Sequence, residues 1–138
     1  MKRAVIVIVC LALVVIGVYS CQNNYTHEVF KIVFTEHLVS NDSVGNEWNL
    51  IYECDGVSVT EERRWTVERD TCQSIKIDIT AIEIDTYSDY GYGEIVIPLK
   101  NGFQNSTVVT VTENMGRYRG NKATIKITCK VVRVEKKG

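Results

Sequence analysis

The side chains most often used in catalysis are scarce in this sequence. His27 and His37 are its only histidines, and both flank the first predicted strand on the same side of its alternation. A Ser-His-Asp or Cys-His mechanism needs one of them beside a nucleophile in a cleft, and the sequence has no nucleophile motif. Gly91-Tyr92-Gly93 lies between predicted strands instead of opening a helix, so it does not predict a phosphate site. We therefore expect a non-catalytic protein without a cofactor.

The cysteines leave two structural alternatives open. Cys10 lies in an apolar leader, and Cys21, Cys54, Cys72 and Cys129 follow it. Cys54 and Cys129 fall on the apolar faces of their predicted strands, so they are candidates for a disulfide bridge in an oxidising compartment or for two buried thiols. The chain has no CxxC spacing, which argues against a zinc or thioredoxin-like site.

The first 20 residues have the features of a signal peptide. Lys2 and Arg3 precede an unbroken apolar run, Ala4–Val18, and polar residues resume at Gln22. The run is shorter than the roughly 20 apolar residues that span a bilayer. A cationic start, an apolar centre and a small residue at the cleavage point predict export, with residues 1–20 removed.

The end of this leader, Val18-Tyr19-Ser20-Cys21, resembles the lipobox of bacterial lipoproteins. The resemblance implies that Cys21 receives a diacylglycerol and that residues 21–26 tether a domain to the membrane. Several acyl chains hold a protein on a bilayer, because each buried methylene contributes about 0.8 kcal/mol. The predicted location is therefore the extracytoplasmic face of a cell membrane, with the lipid anchor as the membrane contact.

Cleavage after Ser20 by an ordinary signal peptidase is the other interpretation. It would release a secreted protein in which Cys21 is simply the first residue. Three N-glycosylation sequons agree with this alternative in a eukaryotic secretory route; they begin at Asn24, Asn41 and Asn105.

Length and charge limit the classes of partner. The chain has 138 residues, 16 basic and 17 acidic side chains; without Lys2 and Arg3 the remainder has a net charge near −3. A weakly acidic domain lacks the basic surface that nucleic acid requires, so we expect no nucleic-acid partner. The 118 residues from Cys21 suffice for one domain with one hydrophobic core, which we place at residues 27–138.

Alternation of apolar and polar residues predicts strands throughout this domain and no helix. Turn-forming residues separate the strands at Ser40–Asn46, Asp55-Gly56 and Asn101-Gly102. Seven or eight strands in a chain of this size indicate an all-β fold, a single antiparallel β-sandwich that is C2-like or immunoglobulin-like. The apolar phase changes after Ile79, which predicts a bulge or bend near Thr80-Ala81.

Two stretches of the sequence resemble a C2 domain. Glu83-Ile84-Asp85-Thr86-Tyr87-Ser88-Asp89 is an acidic loop at the end of a strand, and Gly93-Glu94-Ile95-Val96-Ile97-Pro98-Leu99 follows it as an apolar strand. In calcium-binding members of that family, acidic residues from two loops hold the ions and dock them on phospholipid. The resemblance implies a calcium site formed by Asp42, Glu47, Glu83, Asp85 and Asp89. The other interpretation is that these carboxylates are solvated turn residues.

Exposed aromatic and basic residues predict a recognition surface. Tyr87, Tyr90 and Tyr92 crowd one predicted loop, 85–93, and Arg117, Tyr118 and Arg119 lie in another, Asn114–Asn121. Tyrosine with arginine is typical of surfaces that bind protein or sugar, although the same tyrosines could pack over the end of the sheets.

Together these patterns predict an exported, membrane-tethered, non-catalytic binding or cell-envelope lipoprotein, whose partner is an envelope or extracellular protein or glycan. Two alternatives stay open. One is a secreted, disulfide-bonded effector or inhibitor, and the other is a calcium-dependent lipid-binding module.

Overall fold

The computed structural model describes residues 26–138, so the predicted signal peptide and Cys21 lie outside it. The described residues form eight strands: β1 (His27–Asn41), β2 (Trp48–Cys54), β3 (Val57–Ser58), β4 (Trp65–Glu68), β5 (Ser74–Glu83), β6 (Tyr90–Pro98), β7 (Gln104–Thr112) and β8 (Lys122–Lys137). This part of the chain contains no helix that could cross a membrane. The predicted all-β fold is confirmed.

The strands form two antiparallel sheets of four, in the orders β4-β1-β8-β7 and β3-β2-β5-β6. The inner faces of both sheets contribute to one core, with Phe30 and Ile127 from the first sheet and Ile77 from the second almost completely buried. Alternating strands require such a core, because each sheet has one apolar face. The predicted hairpin turn at Asp55-Gly56 joins β2 to β3, and both residues have positive φ, as a tight two-residue hairpin turn demands.

The bulge predicted near Thr80-Ala81 is wrong. Strand β5 keeps one register with β2 and β6 across this point, and every second residue from Ile75 to Glu83 is buried. Ala81 and Glu83 thus continue the inner face, while Ile84 is exposed just beyond the strand. The sequence pattern was misleading because Ile84 is exposed although it is apolar, and Glu83 is buried although it is charged.

The two sheets meet closely along β6 and β7. A Cβ atom on Gly91 would lie 2.5 Å from the carbonyl oxygen of Thr110, and one on Gly93 would lie 2.7 Å from Cγ2 of Val109. At Gly91 only glycine permits the close approach of the two backbones, whereas at Gly93 the contact is with a side chain. Pro98 ends β6, which is an edge strand of its sheet and therefore tolerates a residue without a backbone N–H.

Candidate functional site at the three-loop end

Three loops meet at one end of the molecule, which we call the three-loop end. They are residues 42–47 between β1 and β2, residues 84–89 between β5 and β6, and residues 113–121 between β7 and β8. The first two loops are joined because the amide of Ile84 donates to the carbonyl oxygen of Glu47 at 2.8 Å. The last two are joined because Oδ1 of Asp89 accepts from the Asn114 amide at 3.0 Å. Residues distant in sequence therefore share one surface.

Four carboxylates gather at this end: Glu83, Asp85, Asp89 and Glu113. Glu83 and Asp89 are each only 2% exposed, and they are the two buried charged residues within the described chain. Burial raises the pKa of Glu83, and the negative charges of Asp85, Glu113 and Asp89 raise that pKa further. Partial burial also raises the pKa of Glu113, again with the charges of Asp89 and Asp85. Glu83 and Glu113 therefore hold their protons more tightly than free carboxylates do.

Only one of the two carboxylate oxygens of Asp89 forms hydrogen bonds. Its Oδ1 accepts two hydrogen bonds from Asn114, one from the backbone and one from Nδ2 at 2.8 Å. Its Oδ2 is buried without a partner. Asp85 instead shapes its own loop, because its Oδ1 accepts from the Tyr87 amide at 2.6 Å.

Buried polar side-chain atoms without a hydrogen-bond partner occur at this end and nowhere else in residues 26–138. They are Nε1 of Trp48, Oε2 of Glu83 and Oδ2 of Asp89. Trp48 pairs directly with Glu83 across β2 and β5, so their side chains share a face of the sheet. Such unsatisfied groups are uncommon in folded proteins, and they occur where a protein binds a ligand or an ion.

Three of the five residues that the C2 resemblance implied as calcium ligands come together here: Glu83, Asp85 and Asp89. Glu47 meets this group through its backbone carbonyl, and Asp42 is exposed at the start of its loop. No three histidine, cysteine, aspartate or glutamate side chains in the described range are already arranged as ligands of one metal ion. The arrangement therefore concentrates negative charge without a formed coordination shell.

Glu113 is a member of the cluster that sequence reasoning missed. It follows β7 and precedes a loop, a position where an acidic residue is ordinary turn chemistry. Gly45 is a second such residue, because a Cβ atom there would overlap the Glu83 carboxylate. Its position in a predicted turn was the only signal in the sequence. Both depend on which loops converge, and alternation along one strand cannot show that.

The predicted recognition residues border the same end. Tyr87 and Tyr92 are 64% and 72% exposed, and Tyr90 and Tyr118 are about half exposed. Arg117 and Arg119 are also exposed, and the Arg117 guanidinium lies 5.7 Å from the centre of the Tyr118 ring. Tyr87 and Tyr92 are therefore mainly in solvent, whereas about half of Tyr90 and Tyr118 is covered by the protein. Tyr90 and Tyr92 belong to β6 and not to the predicted loop.

The three-loop end lies far from the start of the described chain. Strand β1 begins at His27 and reaches the first of the three loops after Asn41. Fifteen strand residues extend roughly 50 Å. The amide of Thr26 donates to the carbonyl oxygen of Lys137, so both ends of the described chain lie together at the opposite end, which we call the tether end.

The other residues with reactive chemistry are dispersed. Cys54 and Cys129 are buried thiols that form no bridge in the structure, and burial raises the pKa of Cys129 to about 11. His27 and His37 both lie in β1, ten residues apart, at separate points along the strand. They do not share a site. Cys72 is an exposed free thiol.

Comparisons with known proteins found no relative. No family model, no curated protein and no solved structure matches the chain.

Proposed function

We propose that this chain is an exported, lipid-tethered, non-catalytic binding protein whose C2-like β-sandwich presents the three-loop end to its ligand. Cys21 carries the anchor and residues 21–26 form the tether. The ligand is an envelope or extracellular protein or glycan, recognised by the exposed tyrosines and arginines of that end. Nucleic acid is not a partner of this acidic domain.

One observation carries the proposal: the predicted recognition residues collect at the end opposite Thr26. A lipid attached five residues before Thr26 would hold the tether end near the bilayer. The three-loop end would then lie roughly 50 Å farther out, the length of a 15-residue strand. Tyr87, Tyr92 and Arg117 are exposed there, and tyrosine and arginine are enriched where proteins bind one another.

Metabolic labelling tests the anchor. The wild-type chain and a Cys21→Ala variant are expressed in a bacterial host with radiolabelled palmitate, and Cys72→Ala serves as the matched control because Cys72 is also an exposed free thiol. We expect label in the wild type and in Cys72→Ala, and none in Cys21→Ala. Equal labelling of all three would refute the anchor.

The secreted alternative gives a different product. An ordinary signal peptidase would release a soluble chain that begins at Cys21 with no added acyl mass. Intact mass spectrometry of the membrane and medium fractions separates the two products directly. A soluble species of unmodified mass as the main product would replace the tethered proposal by the secreted effector or inhibitor.

Calcium binding at the three-loop end is the second candidate function. The support is that two buried carboxylate oxygens, Oε2 of Glu83 and Oδ2 of Asp89, have no hydrogen-bond partner within a group of four acids. Calcium takes six to eight oxygen ligands, and loop carbonyls or water could complete the set that the carboxylates begin.

A melting experiment tests this candidate. Calcium at 100 times its dissociation constant would stabilise the fold by about 2.7 kcal/mol. We expect a higher melting temperature in calcium than in EDTA, with the increase lost in Asp85→Asn and kept in Asp78→Asn, an exposed acid of β5 paired with Lys76. A melting temperature that calcium does not change would end this candidate.

A further inference from the structure

Within residues 26–138, two strands on the side opposite the β6–β7 contact have an edge without a neighbouring strand along part of their length. Strand β4 pairs only with residues His27–Phe30 of β1, so from Lys31 to Asn41 the described chain pairs β1 with β8 alone. Strand β2 pairs with β5 alone from Trp48 to Ile51. A long free edge offers backbone amides and carbonyls to another strand, and natural proteins usually shield it.

A cleft of about 400 Å³ opens beside these two edges. Phe34 of β1 and Tyr52 of β2 form part of its apolar lining, with ring centres 3.9 Å apart and planes 12° from parallel. Buried Ile32 and Val59 extend this lining. The cleft therefore suits one apolar side chain that enters from outside the free edge of β1.

The polar residues of the cleft carry a net negative charge. Glu36 and Glu61 are its two acids, and Lys31 is its one base. Glu36 accepts a hydrogen bond of 2.6 Å from the Tyr52 hydroxyl, which holds its carboxylate beside the aromatic pair. Its charge favours a cationic side chain next to the apolar one.

Strand β4 already shows how this edge accepts a partner. It runs antiparallel to β1, and the pairing ends at Trp65 opposite Phe30, where the chain leaves the edge. A further strand could continue along the same line, opposite Lys31 and the residues after it. Successive side chains alternate between faces, so positions facing Phe34 and Glu36 lie two residues apart on the added strand.

We propose that the free edge of β1 binds an extended peptide segment of a partner protein, antiparallel to β1. An aromatic or aliphatic side chain of the segment enters the cleft at Phe34 and Tyr52, and a lysine or arginine two residues before it faces Glu36 and Glu61. Backbone hydrogen bonds along β1 supply affinity, and the two side chains supply selectivity. This surface is separate from the three-loop end.

The test uses three synthetic peptides and the full chain in a non-ionic detergent. The first peptide is Val-Thr-Lys-Thr-Phe-Thr-Val-Thr. The second has glutamate in place of lysine, and the third exchanges the lysine and the phenylalanine. Fluorescence anisotropy gives each dissociation constant, and hydrogen–deuterium exchange with mass spectrometry locates the contact.

We expect saturable binding of the first peptide, with slower exchange over residues 31–38. The second and third peptides should bind at least fivefold more weakly. Glu36→Gln should weaken the first peptide by a similar factor while retaining an acceptor for Tyr52, and Glu94→Gln on β6 should leave its affinity unchanged.

Four results would overturn the proposal: no saturable binding, equal affinity for all three peptides, protection confined to β6 or the three-loop end, or a homodimer that itself protects residues 31–38. The last result would assign the free edge to a second copy of the chain. None of these readings depends on acylation or on calcium, so this proposal and the proposed function can fail separately.

Discussion

The two ends of the molecule differ in how their charged and polar groups are paired. At the three-loop end, buried acids face one another, and three buried polar atoms have no partner. At the tether end, Nη1 of Arg133 contacts Oε1 of Glu28 at 2.8 Å, and the Arg133 amide donates to Oδ1 of Asn101. These polar and charged groups of the tether end thus have partners within the chain, whereas three buried atoms of the three-loop end lack a hydrogen-bond partner.

This difference shows which end of the fold contains a destabilising arrangement of buried polar groups. A buried carboxylate without a partner destabilises a protein unless something outside the chain compensates for it. The unsatisfied groups of the three-loop end agree with the ligand site that we propose there, because a bound ligand would supply the missing partners.

The largest expected effect comes from Asp89. Asp89→Ala removes the acceptor of two hydrogen bonds from Asn114 and leaves a backbone amide unpaired, so we expect a loss of about 3 kcal/mol in the free energy of unfolding. Asp89→Asn keeps an acceptor oxygen and removes the charge, so it should cost less than about 1 kcal/mol. Urea denaturation measures both. Equal losses would show that the charge, and not the loop contact, is what the three-loop end needs.

Substitution of Glu83 is expected to stabilise the fold, in contrast to substitution of Asp89. Its raised pKa means that the folded state binds the proton more tightly than the unfolded state does, so its ionisation destabilises the fold. The stabilising contribution of this proton is complete below the unfolded pKa and is lost as the pH rises through the folded pKa. Glu83→Gln should therefore raise the melting temperature at pH 7 by roughly 4 °C, the change that about 1 kcal/mol produces in a domain of this size.

Thermal melts of the wild type and the variant between pH 4 and pH 8 measure this difference. The advantage of Glu83→Gln should be largest at neutral pH and should shrink as the solution is acidified. Glu47→Gln, an exposed acid of the same end, should change the melting temperature by less than about 2 °C. A variant advantage that grows on acidification would contradict the burial and like-charge repulsion assigned to Glu83.

Strand content was readable from the sequence because alternation records which face each residue buries. Phe30, Ile77 and Ile127 each lie in an alternating stretch of the sequence and are almost completely buried. The turn at Asp55-Gly56 follows from the residues that tolerate positive φ. The acidic cluster was readable only through the C2 resemblance. Neither the inward side of Glu83 nor the approach of Glu113 could be deduced, since both depend on loops that fold together from distant parts of the chain.

The free thiols allow a comparison of reaction rates between a buried and an exposed position, with a smaller expected effect. Burial raises the pKa of Cys129 to about 11, whereas Cys72 is exposed near the start of β5. A thiolate is the reactive form, so Cys72 should react with iodoacetamide at pH 8 at least tenfold faster than Cys129. Peptide mapping after timed alkylation gives both rates. Comparable rates in the native protein would contradict a closed core between the sheets.

The smallest expected effect is at the tether end. The Arg133–Glu28 pair is partly exposed, with side-chain exposures of 33% and 22%, so Arg133→Met should cost only about 0.5–1 kcal/mol. Lys137→Met is the matched control, because its pair with Glu135 is more than half solvent-accessible at the lysine, and it should cost less still. In 1 M salt the Arg133→Met loss should fall, since counterions screen partly exposed charges. A loss above about 3 kcal/mol would mean that the tether end depends on its ion pair as strongly as the three-loop end depends on the contact between Asp89 and Asn114, and the contrast between the ends would disappear.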